Sequence, residues 1–191
     1  MTDSELRTAL ETHHSDSYGW ALSCCARSSV EAEAVLQTVY LKVLMGKARY
    51  KGKASFKTWL FAVIRRTAAD ERRRQILRRL LLDRRQASPP PTPIERPDEA
   101  IHRVELQRLV REALAQLPRR QREVLQLVFY HDLSLAEAAQ VMSVSLGSAR
   151  THYERGKKQL RRQMEGWQIH NETRIGREDD QRIISATEAG R

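Results

Sequence analysis

Apolar residues return every three or four positions through the first eighty residues, and that spacing predicts helices rather than strands. Ala32, Val35, Leu36, Val39, Tyr40 and Val43 share one face, with Ser28 and Glu31 spaced ahead of them as a capping box. Phe56, Trp59, Leu60, Val63, Ile64 and Thr67 make a second face, and Ser55 stands where a cap is needed. An earlier helix is expected over much of residues 5–26, weakened in its middle by Gly19. Together these elements predict one helical domain over residues 1–82. No sustained period-two run and no Asn-Gly or Asp-Gly turn marks a hairpin. The expected fold class is all-α.

The periodicity stops in residues 83–99, which contain all but one of the chain's 6 prolines. Pro89, Pro90 and Pro91 cannot sustain a helix and favour an extended chain, so the stretch reads as an interdomain linker. Helical spacing resumes at Ile101, Val104, Leu109, Ala113, Leu114 and Leu117. Pro118 then occupies a first-turn position that tolerates it, opening a helix expected to bury Val124, Leu125, Val128 and Phe129. A shorter pair follows. Ser134 and Glu137 have capping-box spacing ahead of a helix starting at Leu135, and Ala136, Ala138 and Ala139 keep that helix slim. Ser143 falls in the turn, Ser145 can cap the next helix, and Val141, Val144 and Ala149 face inward. The tail after Trp167 is polar and weakly periodic and is expected to be loose. The layout is two small helical domains, residues 1–82 and 100–165, on a Pro-rich tether, with a polar tail at 166–191.

Charge changes this picture from a scaffold to a binder. The 191 residues carry a net +10. Residues 40–86 hold 15 basic and 3 acidic side chains and residues 119–164 hold 9 and 4, whereas residues 1–39 hold 2 and 6. Two basic blocks separated by a neutral one predict two contacts with a polyanion. The short helix pair has helix-turn-helix form, which sets its second helix in the major groove. Ser148, Arg150, Thr151, His152, Arg155, Lys157 and Lys158 lie on the outer side of that helix. Arg150 can pair bidentately with guanine, and Thr151 and His152 can reach neighbouring bases. Arg155, Lys158, Arg161 and Arg162 suit phosphates, which position without specifying.

Other chemistries find little support. No apolar run approaches the roughly 18 residues of a membrane span, so no membrane insertion is expected. The first residues lack the basic-then-apolar layout of a signal peptide, and the 2 cysteines are adjacent, which argues against a disulfide framework. A cytoplasmic protein is expected. His13, His14, Cys24 and Cys25 include good metal ligands, but sequence neighbours on a helix point about 100° apart, so no metal or other cofactor is expected. Gly-rich phosphate loops, zinc-hydrolase motifs and nucleophile elbows are lacking, and no enzyme is expected.

The segment LPRRQREVLQLVFYHDLSLAEAAQVMSVSLGSARTHYERGKKQL resembles sigma-factor region 4, and it also resembles the reader domain of two-component response regulators. The first half distinguishes them. SFKTWLFAVIRRTAADERRRQ resembles region 2 of the extracytoplasmic-function (ECF) sigma factors, matching at Phe56, Trp59, Leu60, Val63, Arg65, Asp70 and Arg72 to Arg74. VEAEAVLQTVYLKVL resembles the region 2 helix that docks on polymerase, at Glu33, Gln37, Val39, Tyr40 and Leu41. QTVYLKVL with the basic segment after it is similar to sigma factors of cobalt and nickel resistance. Four positions depart from the family pattern. Ala34 and Thr38 replace acids, Arg66 replaces Asn, and Gly156 replaces Ala at about 1 kcal/mol of helix propensity.

The resemblance implies an alternative sigma factor giving core RNA polymerase its promoter specificity, in a stress or metal-resistance regulon. Glu33, Gln37, Tyr40 and Leu41 would bind core polymerase. Tyr50, Lys53, Phe56, Lys57, Trp59, Arg65, Arg66 and Arg73 would take the minus-ten element, captured as single strand on aromatic faces worth about 1–3 kcal/mol per stacked base. Ser148, Arg150, Thr151, His152, Arg155 and Lys158 would read the minus-thirty-five element as duplex. The implied partners are core RNA polymerase, promoter DNA and an anti-sigma factor, often membrane-anchored. The competing reading is a helix-turn-helix regulator that binds duplex DNA without polymerase.

Overall fold

The structure, a computed structural model, describes residues 2–82 and 101–165, and every described element of regular structure is a helix. They are α1 (Asp3–Thr12), α2 (His14–Cys24), α3 (Ser29–Leu44), α4 (Phe56–Leu82), α5 (Ile101–Gln116), α6 (Arg119–Phe129), α7 (Leu135–Met142) and α8, residues 146–165. The expected linker and tail lie outside the described residues. Contacts gather the described chain into two compact units, residues 2–82 with 126–150 and residues 101–125 with 151–165.

In the first unit α2, α3 and α4 pack against one another, and α7 lies on α4. Trp20, Val35, Val39, Leu60, Phe61 and Ile64 form its buried centre. Trp20 stacks on Phe61 with ring centroids 5.8 Å apart, and its indole N–H donates to the Phe61 carbonyl at 3.1 Å. With that polar end satisfied the indole can be buried completely, and each such side chain contributes roughly 1.5–3 kcal/mol. Ser28, Ser55 and Ser134 cap α3, α4 and α7 by accepting from the N–H groups of Glu31, Thr58 and Glu137.

Three local expectations are corrected. The first helix is two, broken at His13 and not weakened at Gly19. Tertiary contacts win over propensity there: the His13 ring stacks near Phe56 and His14 Nδ1 lies 3.0 Å from the Tyr40 hydroxyl. On α4 the buried stripe runs through Thr58, Leu60, Phe61, Ile64, Thr67 and Ala68, so Phe56, Trp59 and Val63 are only half-buried. Phe129 is exposed and Val128 only half-buried, and Leu127 is buried instead, because α6 ends at Phe129, past its packed face.

The second unit holds α5, most of α6 and most of α8. Leu117, Val124 and Leu125 are buried. Glu123 is buried as well, held by Arg119 at 2.8 Å and Arg120 at 3.5 Å. Gly156 of α8 meets α6 so closely that an added Cβ would stand 3.1 Å from Leu125 Cδ1 and 3.2 Å from Gln121 Cβ. The glycine that departs from the family pattern thus stands where the two helices approach closely. The side chains of Ile101, Val104 and Leu109 lie outside the described residues.

Candidate nucleic-acid interface

The loop between α3 and α4 is shaped by two glycines and a tyrosine. Gly46 and Gly52 adopt φ of 67° and 69°, the left-handed region glycine enters without steric cost. The Tyr50 hydroxyl donates to the Ala54 carbonyl at 2.6 Å, closing the loop on itself. Tyr50, Phe56 and Trp59 then gather as three tilted or edge-on rings with centroids 5.3–5.5 Å apart. Beside them lies a cavity of about 300 Å³ whose walls include Tyr50, Trp59, Arg49, Lys51, Lys53 and Gln140. That size is at the small end of ligand pockets. Aromatic faces with cations around them suit an unstacked base on a phosphate backbone.

The other expected minus-ten residues distribute differently. Lys57 points away from the cavity and pairs with Asp16 of α2 at 2.7 Å, and that hydrogen bond holds the Asp16 carboxyl below its usual range. Arg65 is half-buried and Arg66 exposed, one and two residues past buried Ile64 on α4. Arg73 is exposed and bonds Asp70 at 3.3 Å, the intradomain ion pair that an acid beside an arginine run suggests. Tyr50, Lys53, Phe56 and Trp59 are therefore brought together, whereas Lys57, Arg65, Arg66 and Arg73 are strung along α4.

The short helix pair takes its expected form. Ser134 and Glu137 make a complete capping box at the start of α7. Ser143 turns the chain at φ 54°, and Ser145 Oγ accepts from the Ser148 N–H at 3.1 Å to cap α8. Ala149 and Gly156, two turns apart, are buried on the inner face of α8. Ser148, Arg150, Thr151, Arg155 and Lys158 are exposed, and His152 is half-buried. Lys157 leans over the Tyr153 ring at 5.0 Å.

On α3, Glu33, Gln37 and Leu41 recur every four residues as an exposed stripe. Leu44 and Met45 extend it, at 44% and 65% exposure, and the sequence pattern alone did not single them out. Tyr40 sits on the neighbouring flank beside His14, where burial raises its hydroxyl pKa.

Sequence reasoning also missed a polar bridge and a buried histidine. Glu137 Oε2 accepts from the Ser134 N–H and hydroxyl in its own cap, while Oε1 accepts from Thr58 and Ser55 at the start of α4, at 3.1 and 3.4 Å. These bonds, led by the Ser134 backbone N–H, hold the Glu137 carboxyl below its ordinary range. His131 is 5% exposed and packs edge-on against the stacked pair, 4.9 Å from Phe61 and 5.8 Å from Trp20. Its Nδ1 has no hydrogen-bond partner, and burial depresses its pKa to about 4. Capping spacing could have signalled the Glu137 bridge only within α7, since its second half is tertiary. Cys24 and Cys25 are buried, and burial with the Glu31 charge pushes the Cys25 thiol up to about 11.

Residues 9–83 match the model of sigma-70 region 2 and residues 107–160 that of sigma-70 region 4. The chain is 30% identical over 183 residues to the ECF RNA polymerase sigma factor SigX of Bacillus subtilis (strain 168), covering 93% of this chain and 94% of that protein. It is 25% identical over 133 residues to the RNA polymerase sigma factor YlaC of the same organism, covering 70% and 77%. Among solved structures, it is similar to the sigma factor RpoE in complex with the anti-sigma factor NepR from Bartonella quintana, with a TM-score of 0.65 at 18% identity over 84% of this chain and 97% of that one. CnrH in complex with the cytosolic domain of CnrY gives 0.61 at 18%, over 86% and 90%. At that identity the two structures speak to the fold. Among the described residues no helix is long and apolar enough to cross a membrane.

Proposed function

The chain belongs to the ECF RNA polymerase sigma factors, and from that premise we propose how its surfaces divide the work of an alternative sigma factor directing promoter-specific initiation. The exposed stripe Glu33, Gln37 and Leu41, continued by Leu44 and Met45, docks on core RNA polymerase. Tyr40 acts from its flank. The cavity at Tyr50 and Trp59 receives a base of the opened minus-ten strand, with Arg49, Lys51 and Lys53 along its phosphates. Phe56 supports both rings. Arg65, Arg66 and Arg73 follow the backbone along α4, and Lys57 holds α2 to α4. On α8, Ser148, Arg150, Thr151 and His152 face the minus-thirty-five bases, and Arg155 and Lys158 the phosphates. Residues 1–82 and 100–165 are the two functional modules. Sigma factors lend selectivity to an enzyme and are not themselves the catalyst.

The observation that carries this reading is the cavity: the rings of Tyr50 and Trp59, backed by Phe56, and three cations at one loop, on a chain that also bears a capped helix-turn-helix. A polymerase-independent regulator has use for the second feature and none for the first. The remaining assignments are control by an anti-sigma factor anchored in the membrane, action in the cytoplasm, and a stress or metal-resistance regulon. The anti-sigma assignment draws support from the two similar folds, each a complex of a sigma factor or CnrH with a second chain. Placement in the cobalt and nickel group rests on the resemblance of residues 37–44 and 46–74.

The test is co-elution of the purified chain with bacterial core RNA polymerase. Co-elution, weakened at least tenfold in affinity by Gln37→Ala with Leu41→Ala, is expected, together with promoter-dependent transcripts from the reconstituted enzyme. Failure to co-elute, with firm duplex binding by the chain alone, sinks the reading in favour of the free regulator.

A further inference from the structure

Helix α7 does something in this structure that reading duplex DNA does not require. Its residue Glu137 places one carboxylate oxygen on the hydroxyls of Ser55 and Thr58, at the N-terminus of the 27-residue helix α4. A helix N-terminus favours an anion. Lys51 and Lys53 lie a few residues before it, and Gln140, one turn beyond Glu137, forms part of the wall of the aromatic cavity. The carboxylate therefore fills an anion-favouring position beside the cavity. Three residues before Ser134, which opens α7's capping box, His131 packs edge-on against both rings of the stacked pair Trp20 of α2 and Phe61 of α4.

We infer that residues 131–142 form a self-docking latch, in which the His131 ring and the Glu137 carboxylate hold α7 on the minus-ten surface, so that α7 and the opened DNA strand are alternative occupants. The inference rests on the reading of that surface as a single-strand site. Its release is favoured by what the latch buries. His131 Nδ1 lies in the core without a partner, so the closed state tolerates only the neutral ring. The charged groups around it are Asp16 on α2, Lys57 on α4 and Asp132 on its own turn. Asp16 is already engaged by Lys57, and burial outweighs the two acids. When the latch opens, the imidazole regains water and its ordinary basicity.

Proton linkage makes this measurable. Between a closed-state value of about 4 and an ordinary value of 6.5, acid draws the chain toward the open form. Moving from pH 7.5 to 5.5 multiplies the open-to-closed ratio by roughly tenfold. While the closed form dominates, apparent affinity for a ligand of the open form rises by the same factor.

The experiment is fluorescence anisotropy of the full chain with a labelled single-stranded 12-mer, at pH 7.5 and 5.5 and constant ionic strength. It uses wild type and His131→Phe, with His131→Leu as the alternative should the phenyl ring not fit. The latch predicts tenfold tighter binding at pH 5.5 for wild type and less than twofold for the variant, which keeps the apolar contact and cannot be charged. Residue 131 is the only difference between the two proteins, so a pH effect present in one and absent from the other belongs to it. An equal pH effect in both proteins, or none in either, overturns the latch and leaves the sigma reading intact. No strand binding at either pH, by a sample that still co-elutes with core polymerase, overturns the single-strand site and the latch with it.

Discussion

Gly156→Ala sets helix propensity against packing, and the structure decides the sign. In an isolated helix the substitution gains about 1 kcal/mol. Here the new methyl would stand 3.1 and 3.3 Å from Leu125 Cδ1 and Cγ and 3.2 Å from Gln121 Cβ. Carbon atoms prefer about 3.5–4.0 Å, so three contacts are too short at once. Leu125 is 2% exposed and Gln121 Cβ moves only with its backbone, so the relief must come from sliding α8 off α6. Overpacking of this kind costs about 1–3 kcal/mol, which exceeds the propensity gain. The net expectation is a loss of about 1 kcal/mol, or 2–4 °C in melting temperature for a chain of this length.

Urea denaturation of the full chain, followed by far-ultraviolet circular dichroism, measures it. A second consequence separates packing from propensity. Because α8 carries Arg150 and Arg155, a displaced α8 weakens promoter duplex binding in the reconstituted polymerase even where the chain stays folded. A stabilised Gly156→Ala protein with unchanged promoter binding would refute the argument and show that α6 and α8 have slack at this crossing.

Three further outcomes are expected. His131 prefers its neutral form when folded, with a pKa depressed from 6.5 to about 4, so the unfolded chain binds the extra proton. Its contribution is complete above about pH 6.5 and falls as pH drops toward 4, a loss of about 1.4 kcal/mol between pH 7.5 and 5.5 that urea titrations should find in wild type and not in His131→Phe. Lys53→Ala should flatten the salt dependence of open promoter complex formation by about 0.7 in log–log slope, whereas Lys57→Ala, which removes a partner of Asp16, should leave the slope unchanged. Arg150→Ala should relax preference at one minus-thirty-five base pair by about 1–3 kcal/mol, read from a set of single-substitution promoters.

What the sequence made legible was local. Capping serines, helical periodicity and turn chemistry located α3, α4, α7 and the start of α8, because each depends on residues within four positions of one another; of the two expected capping boxes α7 has both bonds and α3 only the serine's. The two helices around His13 and the exposed end of α6 escaped, since both depend on distant partners: Phe56 and Tyr40 in the first case, the limit of the packed face in the second. The site divides the same way. Aromatic and basic composition marked the loop at residues 46–59, but which cations face the cavity is a tertiary fact, and Lys57 is turned to Asp16. Glu137 read as a cap, and nothing in its spacing announced Thr58, which lies 79 residues away in the chain. Gly156 read as a weakness in its helix until Leu125 was seen beneath it.

A chain with net charge +10 faces a difficulty that a sigma factor must solve, since its cations attract any nucleic acid. The first basic block holds the larger charge and also the aromatic cavity, so it is the surface most in need of restraint. The structure places a carboxylate there. Glu137 caps α7 with one oxygen and bonds the α4 N-terminus with the other. Capping α7 and joining it to the start of α4 beside the aromatic loop are thus parts of one hydrogen-bond set. Removing α7 from that surface leaves its own cap intact, because Ser134 stays bonded to Oε2. If the latch opens, the hydroxyls of Ser55 and Thr58 lose a partner at a mouth where water or phosphate can replace it, and His131 leaves its contacts with Trp20 and Phe61. The polar half of that contact can be exchanged for water or phosphate, so the apolar contacts of His131 with Trp20 and Phe61 set the cost of opening the latch.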